Sequence, residues 1–471
     1  MPPATVRRRP EAAAPRAAVP GRRRGGVLLR HESRALLRVA VPLVFSQLGA
    51  VAMTTTDTIM VGPLGPTALA AAGLASAIQM VALMFCTGTI MGMTTLVSHA
   101  AGAGDVLGSR RALGQGLLVA LGLSVPQMVV LLLGRPIALA LGQAPDVAEL
   151  AGGFMRALAF GVAPFMVFYA FRQFLEGTGR TGPSVVITFL GVAANVVGNR
   201  LLIFGVPGHV PAFGVVGSGW STTAARWGMM LAIVGYLAWR GELGAGFRVP
   251  RPDPALMRRI LRVGLPIGGQ VVAEVGIFSL AAVMMGWMGK VELASHQVAI
   301  NIASTTFMVA LGSSIAGSIR VGLHVGAGSR RGVRRAAIAT YLVALSFMAV
   351  CALVFLLFPA ELIGLYSQDP RILRVGVRLM LLAAAFQVFD GAQVAGLSVL
   401  RGTGDTRIPM LITLVGYWVV GFPVAYILGF HTPFGPAGIW AGLVAALAVV
   451  ALLLFLRVRR VIHAAPRPLG S

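Results

Sequence analysis

Lysine is almost missing from this sequence: Lys290 is the only one, and arginine supplies the rest of the 39 basic residues. Charge of either sign is scarce. Asp, Glu, Lys and Arg make up 11% of the 471 residues, whereas a soluble domain carries about 25%. With 57% of the residues hydrophobic, this excludes a water-soluble globular protein. Cysteine is nearly absent as well. Cys86 and Cys351 both lie in apolar runs, so no disulfide framework is expected. The chain has no Walker A pattern, no Gly-rich nucleotide loop in a strand–helix context, and no Cys/His metal spacing. It also has no soluble domain large enough to hydrolyse ATP. An active transport process in this chain would therefore draw on an ion gradient. No short apolar segment with a small-residue cleavage site precedes the first long apolar run, so no cleavable signal peptide is expected.

What the chain does have is apolar runs long enough to cross a bilayer. They fall near 39–61, 67–98, 111–134, 149–171, 183–204, 214–239, 262–287, 295–324, 335–358, 372–400, 407–430 and 436–456. The expectation is an all-α polytopic membrane protein with twelve spans. The net charge of +24 raises the question of nucleic acid, but the location of the charge speaks against it. Threading the spans with the N-terminus inside leaves only Arg135, Arg156, Lys290, Arg371, Arg374 and Arg378 on the outer side, with Arg200 and Arg226 inside spans. This is the positive-inside bias, and it places both termini in the cytoplasm. Residues 1–35, rich in Arg, Pro and Ala, read as a disordered basic cytoplasmic tail that can touch anionic lipid. Residues 459–471 read as a second, short cytoplasmic tail.

The two halves of the chain match. Leu37-Arg38-Val39 meets Leu261-Arg262-Val263, Pro42 meets Pro266, and Gly102-Ala103-Gly104 meets Gly326-Ala327-Gly328, all in one register. Arg110-Arg111 then meets Arg334-Arg335, and farther on Gly177-Thr178-Gly179 meets Gly402-Thr403-Gly404. This is an internal repeat of six helices, giving lobes at 36–245 and 261–458 joined by a cytoplasmic linker at 246–260. An even number of spans per repeat gives both lobes the same orientation, related by a pseudo-two-fold axis along the membrane normal with a cavity between them. The Gly-Ala-Gly stretches read mainly as surface turns, with gating or docking as the other reading.

Three carboxylates lie inside spans: Asp57 in the first, Glu274 in the seventh and Asp390 in the tenth. Glu274 is about twelve residues in from the basic end of its run, hence roughly 18 Å deep in a ~30 Å hydrocarbon layer. Burying an acid there costs at least ~2.5–3.5 kcal/mol unless a partner, proton or ion offsets it. By the repeat, Glu274 aligns with Ala50, Asp57 with Ala281 and Asp390 with about Phe165. The shared fold therefore requires none of the three, and two distinct sites are expected. Glu274 and Asp390 belong to the same lobe. Two carboxylates in one dry site do not both stay ionised cheaply, so one takes a proton or a monovalent cation sits between them. Gln393, three residues from Asp390, is the best neighbouring amide. In the first lobe Asn195 and Asn199 stand at i, i+4 on one helix face and can hold Asp57 by hydrogen bonds. Gln47, Gln297, Asn301 and Gln387 are further polar groups at membrane depth. His99, His296 and His324 read as surface or loop histidines. A bland alternative applies to the acids, which arginine or a proton could neutralise in a purely packing role.

These stretches resemble the multidrug and toxic compound extrusion (MATE) family. The resemblance rests on PLVFSQLGAVAMTTTDTIMVGPLGPTALAAAGLA (Pro42–Ala75), GLPIGGQVVAEVGIF with ELASHQVAINI (Gly264–Ile302), and FQVFDGAQVAGLSVLRGTGDTRIP (Phe386–Pro409). The glutamate of the seventh span and the aspartate of the tenth look like the NorM-type branch. The resemblance implies a V-shaped twelve-helix, two-lobe transporter, monomeric, in the bacterial inner membrane. It implies an antiporter with Na⁺ or H⁺ as coupling ion and no other cofactor, exporting cationic amphipathic drugs. It implies a cation site at Glu274, Asp390 and Gln393, and a proton- or drug-linked Asp57 with Asn195 and Asn199. Arg226 departs from this pattern: a fixed positive charge near the first-lobe acid would weaken proton coupling there. A rival reading is a lipid-linked precursor flippase, which would want a basic cavity to hold a pyrophosphate. Arg200 and Arg226 keep that reading open.

Overall fold

The computed structural model describes residues 25–242 and 251–464. The expected tail up to residue 24, the first part of the linker and the end of the C-terminal tail lie outside the described residues. Within them the chain is helical, with one isolated β-bridge between Val206 and Val210. Twelve rods can be followed. In the first half they are α1 (Gly25–Val61), α2 (Pro66–Gly102), α3 (Val106–Leu132), α4 in two segments (Pro145–Ala159 and Val162–Gly177), α5 (Gly182–Phe204) and α6 (Gly214–Trp239). In the second half they are α7 (Pro254–Met288), α8 (Lys290–Gly326), α9 (Arg330–Leu357), α10 (Pro370–Thr403), α11 (Arg407–Phe430) and α12 (Pro436–His463). Ten of these are long and apolar enough to cross a membrane, and the bent α4 pair makes an eleventh. The twelfth, α6, has the length but is made less apolar by Ser218, Ser221, Thr222, Thr223 and Arg226.

The repeat is visible in the elements. A short helix follows α3 (Gly134–Ala140) and another follows α9 (Pro359–Gly364) at the matching place. The paired Gly-Ala-Gly stretches also do the same work twice. Gly104 and Gly328 take left-handed φ of 75° and 65°, which an L side chain resists. The next residues, Asp105 and Ser329, cap α3 and α9 by accepting from the backbone N–H of Gly108 and Gly332. The first glycine of each stretch docks the lobes on one another. A Cβ on Gly102 would sit 2.0 Å from the Leu323 carbonyl oxygen, and one on Gly326 would sit 1.9 Å from that of His99. Turn and docking are thus both built into one motif.

The end of the bundle carrying Arg110, Arg258, Arg334 and Arg457 is called here the basic end. Below mid-depth toward that end the lobes are stitched together. Gly92 packs on Gly264, Gly88 on Gly268 and Gly312 on Val44. The His99 Nε2 lies 2.8 Å from the Gly402 carbonyl, and the Thr95 hydroxyl donates to that of Arg401. Arg320 holds Glu32 with two bonds of 2.8 Å, and His324 lies 3.4 Å from the same carboxylate. Small residues allow this close backbone approach, the usual device of helix packing in lipid. Among the described residues these hydrogen bonds and glycine contacts between lobes all lie in the basic half, so the lobes close there.

Two expectations change. The basic tail was expected to run to residue 35, yet α1 is already helical from Gly25; Glu32 is fixed by its ion pair to the other lobe, which anchors this stretch. The linker was expected to reach residue 260, yet α7 starts at Pro254, where the Asp253 side chain accepts from the N–H groups of Ala255 and Leu256.

The halves differ in which rod is broken. The α4 segments meet at 48° around Phe160 and Gly161. Pro164 has no N–H to give the Phe160 carbonyl, and the Trp227 indole donates to it instead (3.2 Å). In the second half α10 is continuous, but α11 contains a π-helical stretch at Val415–Gly421. Pro423 likewise cannot donate back to Val419. Such single-turn π distortions gather at functional sites, and each break here lies beside its own lobe's charged cluster.

Candidate functional site

The second-lobe cluster joins α7, α10 and α11. Glu274 is half-buried on α7. Its Oε1 accepts from Gln393 Nε2 at 2.9 Å and lies 3.4 Å from the Tyr417 hydroxyl, which donates to Gln393 Oε1 at 2.7 Å. Asp390 is 3% exposed and close enough to feel the charge of Glu274. Tyr417 reaches the carboxylate from inside the π stretch. Beside it the Trp418 indole donates to the Ala273 carbonyl (3.2 Å), which fixes α11 against α7 one residue from Glu274. Phe278, Phe386 and Trp440 wall this region, with ring centroids 5.8 Å apart from Phe278 to Phe386 and from Phe386 to Trp440, and Phe278 lies 6.4 Å from the Tyr417 ring. Two carboxylates, an amide and a phenol in an apolar wall offer only oxygen ligands beyond the amide donor. That set suits a proton or a small hard cation and not a soft transition metal. Among the described residues no group of three or more His, Cys, Asp or Glu forms a metal cluster.

The first-lobe cluster joins α1, α5 and α6. Asp57 Oδ1 accepts from Asn199 Nδ2 at 2.6 Å and Oδ2 from the Thr222 hydroxyl at 3.2 Å. Asn195 Nδ2 donates to the same hydroxyl at 3.1 Å, and Asn199 Nδ2 to Asn195 Oδ1 at 3.4 Å. The i, i+4 pair of asparagines therefore does face the aspartate. Arg226, also on α6, is 7% exposed. Its guanidinium carbon lies 5.0 Å over the Phe165 ring, and its charge reaches Asp57.

Deeper toward the basic end, Gln47 accepts from Arg172 Nη2 at 3.1 Å, while Arg172 Nε donates to Glu176 Oε1 at 2.6 Å. Glu176 is fully buried. The sequence reading leaves it in the loop beyond the apolar run at 149–171, where Gly177-Thr178-Gly179 follows it directly. The signal that identifies it is the i, i+4 spacing to Arg172. Gln297 and Asn301 are exposed, and Asn301 accepts from the Tyr366 hydroxyl at 3.1 Å. Among the described residues no hydrogen bond joins either to Glu274. The expectation of surface histidines is corrected for two of three. His99 is buried at the lobe junction, and His296 is buried accepting from the Trp440 indole at 3.1 Å. Both sit near helix ends in sequence but on inward faces. Tyr417, Trp418 and Thr222 were missed, because hydroxyls and indoles inside apolar runs look like ordinary filling.

The MatE family model matches residues 42–201 and 266–427, one block in each lobe. The chain belongs to the MatE family. Members of this family are transporters, so the protein is a multi-pass membrane transporter and not an enzyme. It is 39% identical over 441 residues to the probable multidrug resistance protein NorM of Mesorhizobium japonicum, covering 91% of this chain and 94% of that one. It is 35% identical to the multidrug resistance protein MdtK of Yersinia pseudotuberculosis, covering 91% and 95% of the two chains. The MatE fold is matched by the solved outward-facing conformation of a multidrug resistance MATE family transporter, with a TM-score of 0.82 at 22% identity over 95% of this chain and 100% of that one. The expected NorM-like membership and twelve-helix, two-lobe architecture are thus borne out.

Proposed function

We propose that this MatE protein is a cation-coupled drug exporter that works by alternating access as a monomer in the bacterial inner membrane. The observation that carries the reading is the Glu274–Gln393–Tyr417 network beside Asp390, inside one lobe of a bundle closed at its basic end. By the positive-inside bias that end faces the cytoplasm, so both termini are cytoplasmic and the described conformation opens outward. Its relatives NorM and MdtK are named as multidrug resistance proteins, which supports small-molecule drugs as cargo; the buried carboxylates of both lobes favour cationic, amphipathic ones.

In this reading an inward-moving Na⁺ or H⁺ enters the second lobe from outside and neutralises the pair formed by Glu274 and Asp390. Neutralisation favours a conformation with weak drug affinity, so drug leaves outward. The coupling is no larger than the ion's differential affinity for the two conformations. Asp57, held by Asn199 and Thr222, is the first-lobe group that binds a proton or a cationic drug. Gln297 and Asn301 remain candidates for the cavity wall. The test uses everted vesicles carrying the protein: an imposed cation gradient drives ethidium movement, and Glu274→Gln abolishes it. Undiminished coupled movement in that variant refutes the assignment. A lipid-precursor flippase would need a basic cavity. Arg200 instead lies exposed against Phe204, and Arg226 shares its surroundings with Asp57, which speaks against that role.

A further inference from the structure

Arginine is handled differently at the two ends of the bundle. At the outer end Arg135, Arg156 and Arg371 have carboxylates 2.5–3.6 Å away. At the basic end the acids are already engaged. Glu32 is held by Arg320, Glu176 by Arg172, Glu242 by Arg180 and Asp405 by Arg457. Asp105 and Asp253 accept from backbone N–H groups at the helix starts they cap. Arg34 and Arg38 on α1, and Arg258 and Arg262 on α7, are exposed and form no ion pair or hydrogen bond among the described residues. Their counter-charge has to come from outside the chain.

These four stand at matched places. Arg34, Arg38 and Val41 meet Arg258, Arg262 and Leu265 in the register that relates the halves, so the first helix of each lobe carries the same device. Residues four apart share one helix face, and like charges there repel one another unless an anion lies between them. The same face continues into exposed apolar side chains, Val41 and Phe45 on α1 and Leu265 on α7. The lobes are closed in this half of the bundle, so these side chains meet acyl chains and not the cleft. Both helices are also longer than the hydrocarbon layer. At 37 and 35 residues they are rods of about 55 and 52 Å, against ~30 Å of hydrocarbon. The arginine pairs lie where the rods pass from acyl chains into the headgroup layer.

We propose that each pair binds the phosphate of one anionic phospholipid, whose acyl chains lie along Val41 and Phe45 in the first lobe and along Leu265 in the second. Two guanidinium forks one turn apart suit a phosphodiester, whose oxygens accept bidentately. A zwitterionic headgroup brings its own cation, which the unpaired arginines repel. The occupant is a lipid and not a soluble phosphate, because the apolar row continues directly from the charged one. Both sites lie on helices that cross to the opposite lobe toward the basic end, α1 through Val44 against Gly312 and α7 through Gly264 against Gly92. The inference names a membrane partner and stands apart from the export reading and its coupling ion.

The test uses purified full-length protein in neutral detergent with equal amounts of phosphatidylglycerol and phosphatidylcholine, and counts retained lipids by native mass spectrometry. Two arginines at a membrane surface favour the anionic lipid by about thirtyfold, so wild type retains two phosphatidylglycerols. Arg34→Gln with Arg38→Gln retains one, Arg258→Gln with Arg262→Gln retains one, and the variant with all four changes retains none. Arg330→Gln with Arg331→Gln still retains two, because these exposed arginines meet Val106 and Leu107 in the other half and belong to no matched pair. Phosphatidylglycerol also raises the thermal midpoint of wild type, and soluble glycerol phosphate at the same concentration does not. Equal retention of the two lipids by wild type overturns the inference, as does undiminished retention when all four arginines are changed. A loss in the Arg330 and Arg331 variant as large as in the paired variants means a diffuse basic belt and overturns it too. Equal stabilisation by glycerol phosphate reassigns the pairs to a soluble anion and refutes the lipid.

Discussion

Replacing Tyr417 by Phe removes one oxygen and leaves the ring in place. The perturbation is well defined because that hydroxyl is buried and makes one short bond, 2.7 Å to Gln393 Oε1, with Glu274 Oε1 at 3.4 Å. Gln393 in turn donates to Glu274, so the phenol fixes which way the amide points. Without it the amide loses its orienting partner, and the carboxylate loses both a fixed donor and a nearby hydroxyl. A net buried bond is worth about 1 kcal/mol, and in membranes such bonds average ~0.6 kcal/mol. Stability of the variant should therefore fall only slightly. The effect on the ion is larger: groups that orient a cation's ligands typically change its affinity by about 10–100-fold. The assay is ethidium efflux from proteoliposomes measured against external Na⁺ and against external pH. The concentration of the coupling cation giving half the maximal rate should rise by about tenfold, with maximal rate retained when the cation is saturating. Wild-type half-saturation in a folded Tyr417→Phe protein would refute the idea that the phenol organises this site.

Two further outcomes follow from the packing. Gly326→Val places a branched side chain where even a Cβ meets the His99 carbonyl at 1.9 Å; the lobes should fail to close at the basic end, transport should be lost, and hydrogen exchange in α2 and α8 near that end should speed up. Asp369 caps α10 outside the membrane, and hydrogen bonds from Arg371 hold its carboxyl below the ordinary carboxylate value of 3.8. A depressed value in the folded state means the stabilisation is present above the unfolded value and is lost as pH falls through the folded one. Thermal unfolding of wild type should therefore drop with acidification in that range, and Asp369→Asn should flatten this part of the curve.

Much of the architecture was legible in the sequence because its signals are long-range and redundant. Apolar runs of spanning length, arginine bias between loops and repeated Gly-Ala-Gly stretches all give the same two lobes. The acids were legible because an ionisable group at membrane depth has few bland explanations. Asn195 and Asn199 were legible through their i, i+4 spacing, and Gln393 through its nearness to Asp390. Tyr417 and Thr222 were not, since each lies in an apolar run on a different helix from the acid it serves and only the packing of α11 and α6 brings it there. The breaks in α4 and α11 were also missed, although Pro164 and Pro423 mark them. A proline inside a span bends it only where another group takes over the released carbonyl, and at Phe160 that group is the Trp227 indole, sixty-odd residues away in sequence. Glu176 was hidden by its place beside a turn.

The proposed trade of cation for drug is tested most directly by binding, because linkage makes the effect reciprocal: a cation that weakens drug binding is itself weakened by the drug. Ethidium affinity of the purified protein should be measured across Na⁺ concentrations at fixed pH, and across pH at fixed Na⁺. The account predicts that raising either Na⁺ or H⁺ lowers drug affinity by at least about fivefold, and that Glu274→Gln removes this dependence. A wild-type affinity that stays flat along both axes would contradict it.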